Sequence, residues 1–416
     1  MSRVVDVIAP VRLGTSFRWL LGSSWASNLG DGIALAAGPL LVASLTRDAR
    51  LVALAATLQW LPPLVFGLFA GVVADRLDRR LVVVTADLVR AGVLSLLTTA
   101  IVFDKASIAL ALAALFALAT AEVFADTTSS TLVPMLVRRD DLAVANARLF
   151  AGFITVNQLA GPPIGAALFA VGWAWPFAGH AVVVALGALL VSRIVLSPRA
   201  ETAPTARRPV WRDVAEAFVW VRRHAAVRTL VLTIFTFNIT FGAAWSVLVL
   251  YASRRLGLDE IGFGLLTTVG AVGGLAGVVT YGWITRHMSL GNIMRAGLVV
   301  ETVTHLALAV TTQPLVAMAI FFVFGAHAFI WASTSTAVRQ RAVPSVLQGR
   351  VGSVNTLGTY GGLVIGSGVG GLLAERWGVT APFWFAFAGS AVFVVLIWRE
   401  LASIAHMDDS PAPAPV

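Results

Sequence analysis

Twelve apolar stretches follow one another along the chain, separated by short polar breaks. They run near 18–44, 51–74, 81–103, 107–135, 147–170, 174–196, 229–252, 261–285, 292–312, 315–338, 349–373 and 380–400. Each has about the 20 residues that a helix needs to cross a hydrocarbon core ~30 Å thick, and the longer ones have room to tilt. One longer interruption, 197–228, contains Pro198, Pro204 and Pro209 and a concentration of arginine, and it splits the series into two sets of six. Within it Val214, Phe218 and Val221 alternate helically with Arg212, Arg222 and Arg223, so a short amphipathic helix on the membrane surface is expected there. The tail from Asp408 is proline-rich and is expected to be disordered. The pattern predicts an all-α membrane protein with one six-helix half over 1–196, a cytoplasmic linker over 197–228, a second half over 229–402 and a tail over 403–416.

Composition narrows the class further. Of 416 residues, 58% are hydrophobic and 12% charged, too little polar surface for a soluble protein of this length. The net charge of +9 would suit nucleic acid, but the placement of the basic residues explains it better. If odd-numbered spans start in the cytoplasm, six of the 30 basic residues fall outside: Arg47, Arg50, Lys105, Arg254, Arg255 and Arg376. Arg90 and Arg148 lie inside spans, and the remaining 22 are cytoplasmic, so both termini are expected on that side. Residues 1–16 hold Arg3 and Arg12 but no long apolar run, so the first span is expected to act as the insertion signal. There is no cysteine, which removes disulfides, thiolate metal sites and cysteine nucleophiles. No phosphate-binding glycine loop with lysine, H-E-x-x-H pair or nucleophile elbow is present, so neither an enzyme nor an ATP-driven pump is indicated, and no cofactor or metal is expected.

Between the second and third spans lies Gly71-Val72-Val73-Ala74-Asp75-Arg76-Leu77-Asp78-Arg79-Arg80, with five charges in its last six residues. Such a loop belongs at a membrane surface. Gly71 would let a neighbouring helix approach, and Asp75 would pair with an arginine or a helix N-terminus. This stretch resembles the G-x-x-x-D-R-x-G-R-R signature of the major facilitator superfamily, with Asp78 in the usual glycine position. The variant is similar to the branch that contains enterobactin exporters and drug efflux proteins. The resemblance implies a major facilitator fold of twelve helices in two pseudo-symmetric halves, with Gly71, Asp75, Arg76, Arg79 and Arg80 as a gating loop. The fifth span adds Gly152 and then Gly161-Pro162-Pro163-Ile164-Gly165-Ala166, which resembles the antiporter motif of drug-exporting facilitators. Gly152, Gly161, Pro162 and Gly165 would allow a bend and close helix contact. A seam of Gly161 and Gly165 against the glycine-rich eighth span is expected, because this fold brings the two helices together.

Internal repeats agree with two parallel halves. Gly71-Val72-Val73 recurs as Gly277-Val278-Val279, and Arg90-Ala91-Gly92 as Arg295-Ala296-Gly297. Asn157 and Gly165 correspond to Asn355 and Gly370, while Arg286-His287-Met288-Ser289 replaces the charged loop.

Ionisable residues inside the spans are the candidates for chemistry, since a charge at that depth is costly and needs a cavity or a partner. Asp31 sits mid-span in Asn28-Leu29-Gly30-Asp31-Gly32, and Glu122 and Asp126 share a face of the fourth span. The resemblance places spans one, four, seven and ten around a central cavity, which would gather Asp31, Glu122 and Asp126. Burial and mutual repulsion would then favour a bound proton on at least one of them. His327 and Trp331 on the tenth span could receive a cationic or aromatic substrate, and Asn238 and Trp245 on the seventh are weaker candidates. Asp87 with Arg90, and Glu301 with His305, are expected to be structural pairs. The reading is a monomeric secondary transporter of the bacterial inner membrane, exchanging protons for a hydrophobic or amphipathic molecule, drug or siderophore-like. Its partners would be that substrate, protons and the bilayer, not nucleic acid. An importer or uncoupled facilitator is the alternative within transport, and a non-transporting sensor or assembly factor on a transporter fold is the one outside it.

Overall fold

Short polar side chains start several of the helices. Asp48 accepts from Arg50 N at 2.8 Å, and Asp78 from Arg80 N at 2.9 Å and Leu81 N at 3.2 Å. Ser107 and Ser289 cap in the same way, each satisfying an otherwise orphaned donor. Asp78, which departs from the superfamily signature, is thus the N-cap of the helix that follows. The computed structural model describes residues 10–196, 210–344 and 347–400. The first six long helices are α1 Thr15–Leu45, α2 Ala49–Arg76, α3 Arg79–Val102, α4 Ile108–Leu136, α5 Arg139–Val171 and α6 Trp175–Ser192. Then come α7 Val210–Arg223, α8 Ala225–Trp245, α9 Leu248–Arg254, α10 Glu260–His287 and α11 Leu290–Val310. The last described helices are α12 Pro314–Ala342, α13 Gln348–Trp377 and α14 Ala381–Ile397.

Eleven of these are long and apolar enough to cross a membrane, and α14 is a shorter apolar helix. The seventh apolar stretch is divided into α8 and α9, a break that no proline or glycine pair announces. The proline-rich part of the linker and the tail lie outside the described residues. The amphipathic helix of the linker forms as α7, but it does more than float on a surface. Ala217 and Val221 are buried among Val227, Val343, Val351 and Val354, and Glu216 pairs with Arg350 at 3.0 Å. Phe218, expected on the same face as Val221, is instead 62% exposed.

The chain forms two units, residues 1–206 with 258–268, and 207–257 with 269–416. Each repeats one packing plan. In the first, α1 packs on α5 and α6, α3 on α4 and α6, and α2 on α4. In the second, α8 packs on α13 and α14, and α11 on α12 and α14. Large aliphatic side chains face outward, as with Val171 at 78% and Leu315 at 79% exposed, while Arg90 and His305 are buried. Apolar outside and charged inside is the pattern of a protein whose solvent is lipid.

Glycines set these contacts. A Cβ at Gly161 would strike the Gly32 backbone, and one at Gly165 the Ile33 backbone. The Gly161/Gly165 face therefore packs on α1 of its own half. Gly273, Gly274 and Gly277 of α10 likewise pack on Phe322, Phe329 and Ala326 of α12. Each of these glycine sets is used inside its own unit. Gly264, which belongs to the first unit, does meet Pro162 and Pro163 of α5. Gly370 stands against Ala243 of α8 as Gly165 stands against α1, so this repeat is spatial as well as sequential. Pro162 and Pro163 have no N–H to offer the preceding turn. The turn widens accordingly: Phe153–Ala160 is π-helical, and Gly161 N donates to Val156 O. Gly161→Val should push α1 and α5 apart and cost about 1–3 kcal/mol. A lower melting temperature of the detergent-purified variant is the expected reading, and parental melting would show that the contact yields freely.

Candidate functional site

Gly30, Asp31 and Gly32 lie at the middle of the 31-residue α1 and divide three tasks. A Cβ at Gly30 would collide with the His180 ring of α6, and one at Gly32 with the Asn157 backbone of α5. The two glycines let α6 and α5 close on α1, and Asp31 between them meets α3. There its carboxylate pairs with the Arg90 guanidinium, whose side chain is 1% exposed. Arg90 also holds Asp87, one turn back, at 3.2 Å and donates to Ser27 Oγ at 2.8 Å. His180 Nε2 is 3.3 Å from Asp31 Oδ1, and Ser27 Oγ is 3.5 Å from Oδ2. Four helices thus converge on one carboxylate–guanidinium pair: α1, α3 and α6 by contact, and α4 by charge.

The contribution of α4 is Glu122 and Asp126. Both interact electrostatically with Arg90 and with Asp31. Glu122 is half-buried and Asp126 exposed, and Ala86, Ala121 and Ala125 pack together so that α3 and α4 lie close. The sequence-derived trio of acids is therefore brought into one electrostatic neighbourhood, with Arg90 at its centre. Arg90 was expected to pair with Asp87. It serves Asp87 and Asp31. His180 was missed altogether, although a histidine inside an otherwise apolar span was signal enough.

The 71–80 loop is held by contacts within itself and with the ends of α4 and α6. Arg79 donates to Ala74 O at 2.9 Å and to Met135 Sδ at 2.7 Å, and pairs with Asp75 at 3.4 Å. Arg80 reaches Ile194 O at 3.2 Å, while Arg76 is exposed. Gly71 was expected to admit a close neighbour, but a Cβ there would meet nothing within 4 Å. Gly277 packs on Ala326, so the two Gly-Val-Val repeats are not equivalent in space. Nor are the Arg-Ala-Gly repeats. Arg90 is mid-helix, whereas Arg295 is near the start of α11, donating to Trp398 O at 2.8 Å.

In the second unit, His327 is 7% exposed and turned toward α11, where its Nε2 lies 3.5 Å from Glu301 Oε2. A Cβ at Gly297 would crowd the His327 ring, so that glycine makes the space for it. Trp331 packs with the cluster of Met294 and Leu298. Asn238 spends its amide on Ile234 O at 2.7 Å, in its own helix. Trp245 stacks on Phe241 at 4.4 Å and lies 4.7 Å from Phe324 between ring centroids. Gly152 leaves room for the Trp25 indole, which donates to Arg148 O at 3.3 Å. No group of three or more histidine, aspartate or glutamate side chains among the described residues is arranged to hold a metal ion.

Residues 6–414 match the major facilitator family model described as transmembrane secretion effector. The macrolide efflux protein A of Streptococcus pyogenes is 22% identical over 367 residues, covering 85% of this chain and 87% of that protein. The multidrug efflux pump Tap of Mycolicibacterium fortuitum is 28% identical over 390 residues, covering 88% and 90%. Among solved structures, a mutant of the nucleoside transporter NupG superposes with a TM-score of 0.75 at 11% identity, over 94% of this chain and 100% of that one. At such identity the structural likeness speaks for the fold alone.

Proposed function

The chain belongs to the transmembrane secretion effector family of the major facilitator superfamily, and from that premise we propose that it exports a hydrophobic or amphipathic drug-like molecule in exchange for protons, by alternating access. That it is a multi-pass membrane transporter and not an enzyme follows from the family and its efflux relatives. The proton is the finer step, and one observation supports it. Arg90 pairs with Asp31 and Asp87, and Glu122 and Asp126 of α4 lie within its electrostatic reach. In surroundings of low dielectric such an excess of negative charge is relieved by binding protons. Asp31 or Glu122 carries the proton under this reading, and Asp31 is the one whose protonation would move helices. Its partners come from three helices, so protonating it loosens α1 from α3 and α6 together while Asp87 keeps hold of Arg90. A proton and a helix rearrangement are then one event, which is what coupling requires.

The bias of arginine toward one side supports cytoplasmic termini, and the reading puts the protein in a bacterial inner membrane. The 71–80 loop, with Asp75 and Arg79 latching the ends of α2 and α3, is the cytoplasmic gate. The half-buried aromatics Phe241, Trp245 and Phe324 offer apolar surface to a flat or cationic substrate.

Everted vesicles from a host lacking its own efflux pumps test the whole reading, with erythromycin and ethidium as probes. Vesicles containing the protein should accumulate a probe under an imposed inside-acid gradient and lose it when a protonophore is added. Accumulation indifferent to the gradient, or gradient-driven uptake by intact cells instead, would overturn proton-coupled export.

A further inference from the structure

In the second unit, the ionisable groups deep in the helices are few. The helix α14 has none, α8 has Arg228 close to its start, and α12 has His327 before Arg339 and Arg341 at its end. Glu301 and His305 stand one turn apart on α11, and His327 meets them from α12. Glu301 lies 3.5 Å from His327 Nε2 and 4.0 Å from His305 Nε2. The other charged and phenolic groups of the surrounding helices are engaged elsewhere. Arg295, on the same helix, is held by Trp398, its guanidinium 5.0 Å over that ring. Tyr251 of α9 donates to Leu308 O at 2.6 Å, and Arg255 to Val310 O at 3.0 Å. The Tyr281 hydroxyl of α10 is 3.5 Å from Thr334 Oγ1. Among the described residues, no arginine or lysine pairs with Glu301.

His305 makes the arrangement unusual. Its side chain is fully buried, and neither ring nitrogen has a hydrogen-bond partner. Trp245 covers it edge-on, with ring centroids 5.9 Å apart. A structural histidine in an apolar interior ordinarily finds a partner for at least one nitrogen. A carboxylate with only neutral imidazoles beside it carries an uncompensated charge at a depth where charge is expensive. One proton shared among the three groups removes that charge. It can sit on the carboxyl group, or on an imidazole beside the carboxylate, and the group is neutral either way.

We propose that Glu301, His305 and His327 form a second proton-binding site, in the C-terminal half and separate from the Asp31–Arg90 cluster. A proton is the ligand that fits: one carboxyl group lies within 4.0 Å of both imidazoles, Trp245 covers the His305 ring, and Gly297 makes room for the His327 ring. The transport role of this site rests on the proton-coupled reading above, but its occupancy by a proton does not.

Solid-state NMR of the full-length protein in liposomes, with isotope-labelled histidine, reads the imidazole nitrogens directly. His305→Gln and His327→Gln assign the signals. Between about pH 9 and about pH 4, which spans the usual imidazole and carboxyl range, at least one of the two rings should switch between neutral and protonated forms. Glu301→Gln should lose that switch, Glu301→Asp should keep it, and Asp31→Asn should leave it untouched. Rings that stay in one form across the whole range in the parent, or a switch unaltered in Glu301→Gln, would overturn the proposal. Export that proved independent of any proton gradient would instead remove the coupling reading and leave this titration standing.

Discussion

Asp31→Asn is expected to reduce gradient-driven export by about 10- to 100-fold, the scale of a coupling free energy between two linked sites. Asparagine keeps the size of aspartate and an oxygen that can accept from Arg90 or Ser27, so the contacts among α1, α3 and α6 survive in shape. It removes the group that can alternate between charged and neutral. Exchange of probe for probe, with no proton gradient imposed, should therefore continue in liposomes carrying the variant. Glu122→Gln is expected to have a smaller effect, because Glu122 acts on Arg90 through space and makes no ion pair with it. Asp31→Asn protein that exports like the parent across a pH gradient would move the carrier role to Glu122 or Asp126. A variant that also loses probe-for-probe exchange would mean that Asp31 acts in substrate handling or in the fold.

Arg90→Met carries the second large effect, and it falls on stability. Arg90 is 1% exposed and is the shared partner of Asp31 and Asp87. Removing the cation leaves two carboxylates together with nothing to offset them, and breaking a buried pair in this way costs about 3–5 kcal/mol. The purified variant should melt well below the parent. Adding Asp87→Asn should recover part of the loss, because the double variant no longer buries an unpaired Asp87. Asp87→Asn in the parent background should cost less than Arg90→Met, since Arg90 would still have Asp31. Equal melting of Arg90→Met and the parent would show that water or protons already neutralise the cluster.

The two effects follow from one arrangement. Asp31 is held by Arg90 and His180 yet keeps 14% of its side chain exposed, while Asp87 is almost sealed at 2%. Of the two acids paired with Arg90, Asp31 is the one a proton reaches more easily. The sealed one anchors Arg90 when the other lets go.

Much of this protein is written in the order of its residues. Hydrocarbon offers no hydrogen bonds, so each crossing segment must be a helix of about 20 apolar residues, and each break must carry charge or a cap. That rule makes the spans, their number and the charged 71–80 loop legible without any knowledge of contacts. It also flags Asp31, Glu122, Glu301, His305 and His327, because any ionisable residue inside a span stands out against the lipid. Partnership is another matter. Asp31 meets Arg90, 59 positions away, and His180, 149 positions away; nothing periodic links them. Their meeting depends on how far each helix is rotated and slid, and that is decided by Gly30 against the His180 ring and Gly32 against the α5 backbone. The same geometry turned the Gly161/Gly165 face toward α1 and His327 toward Glu301. Helical period is a property of one chain segment, whereas register between helices is settled only when small residues from both sides are brought into contact.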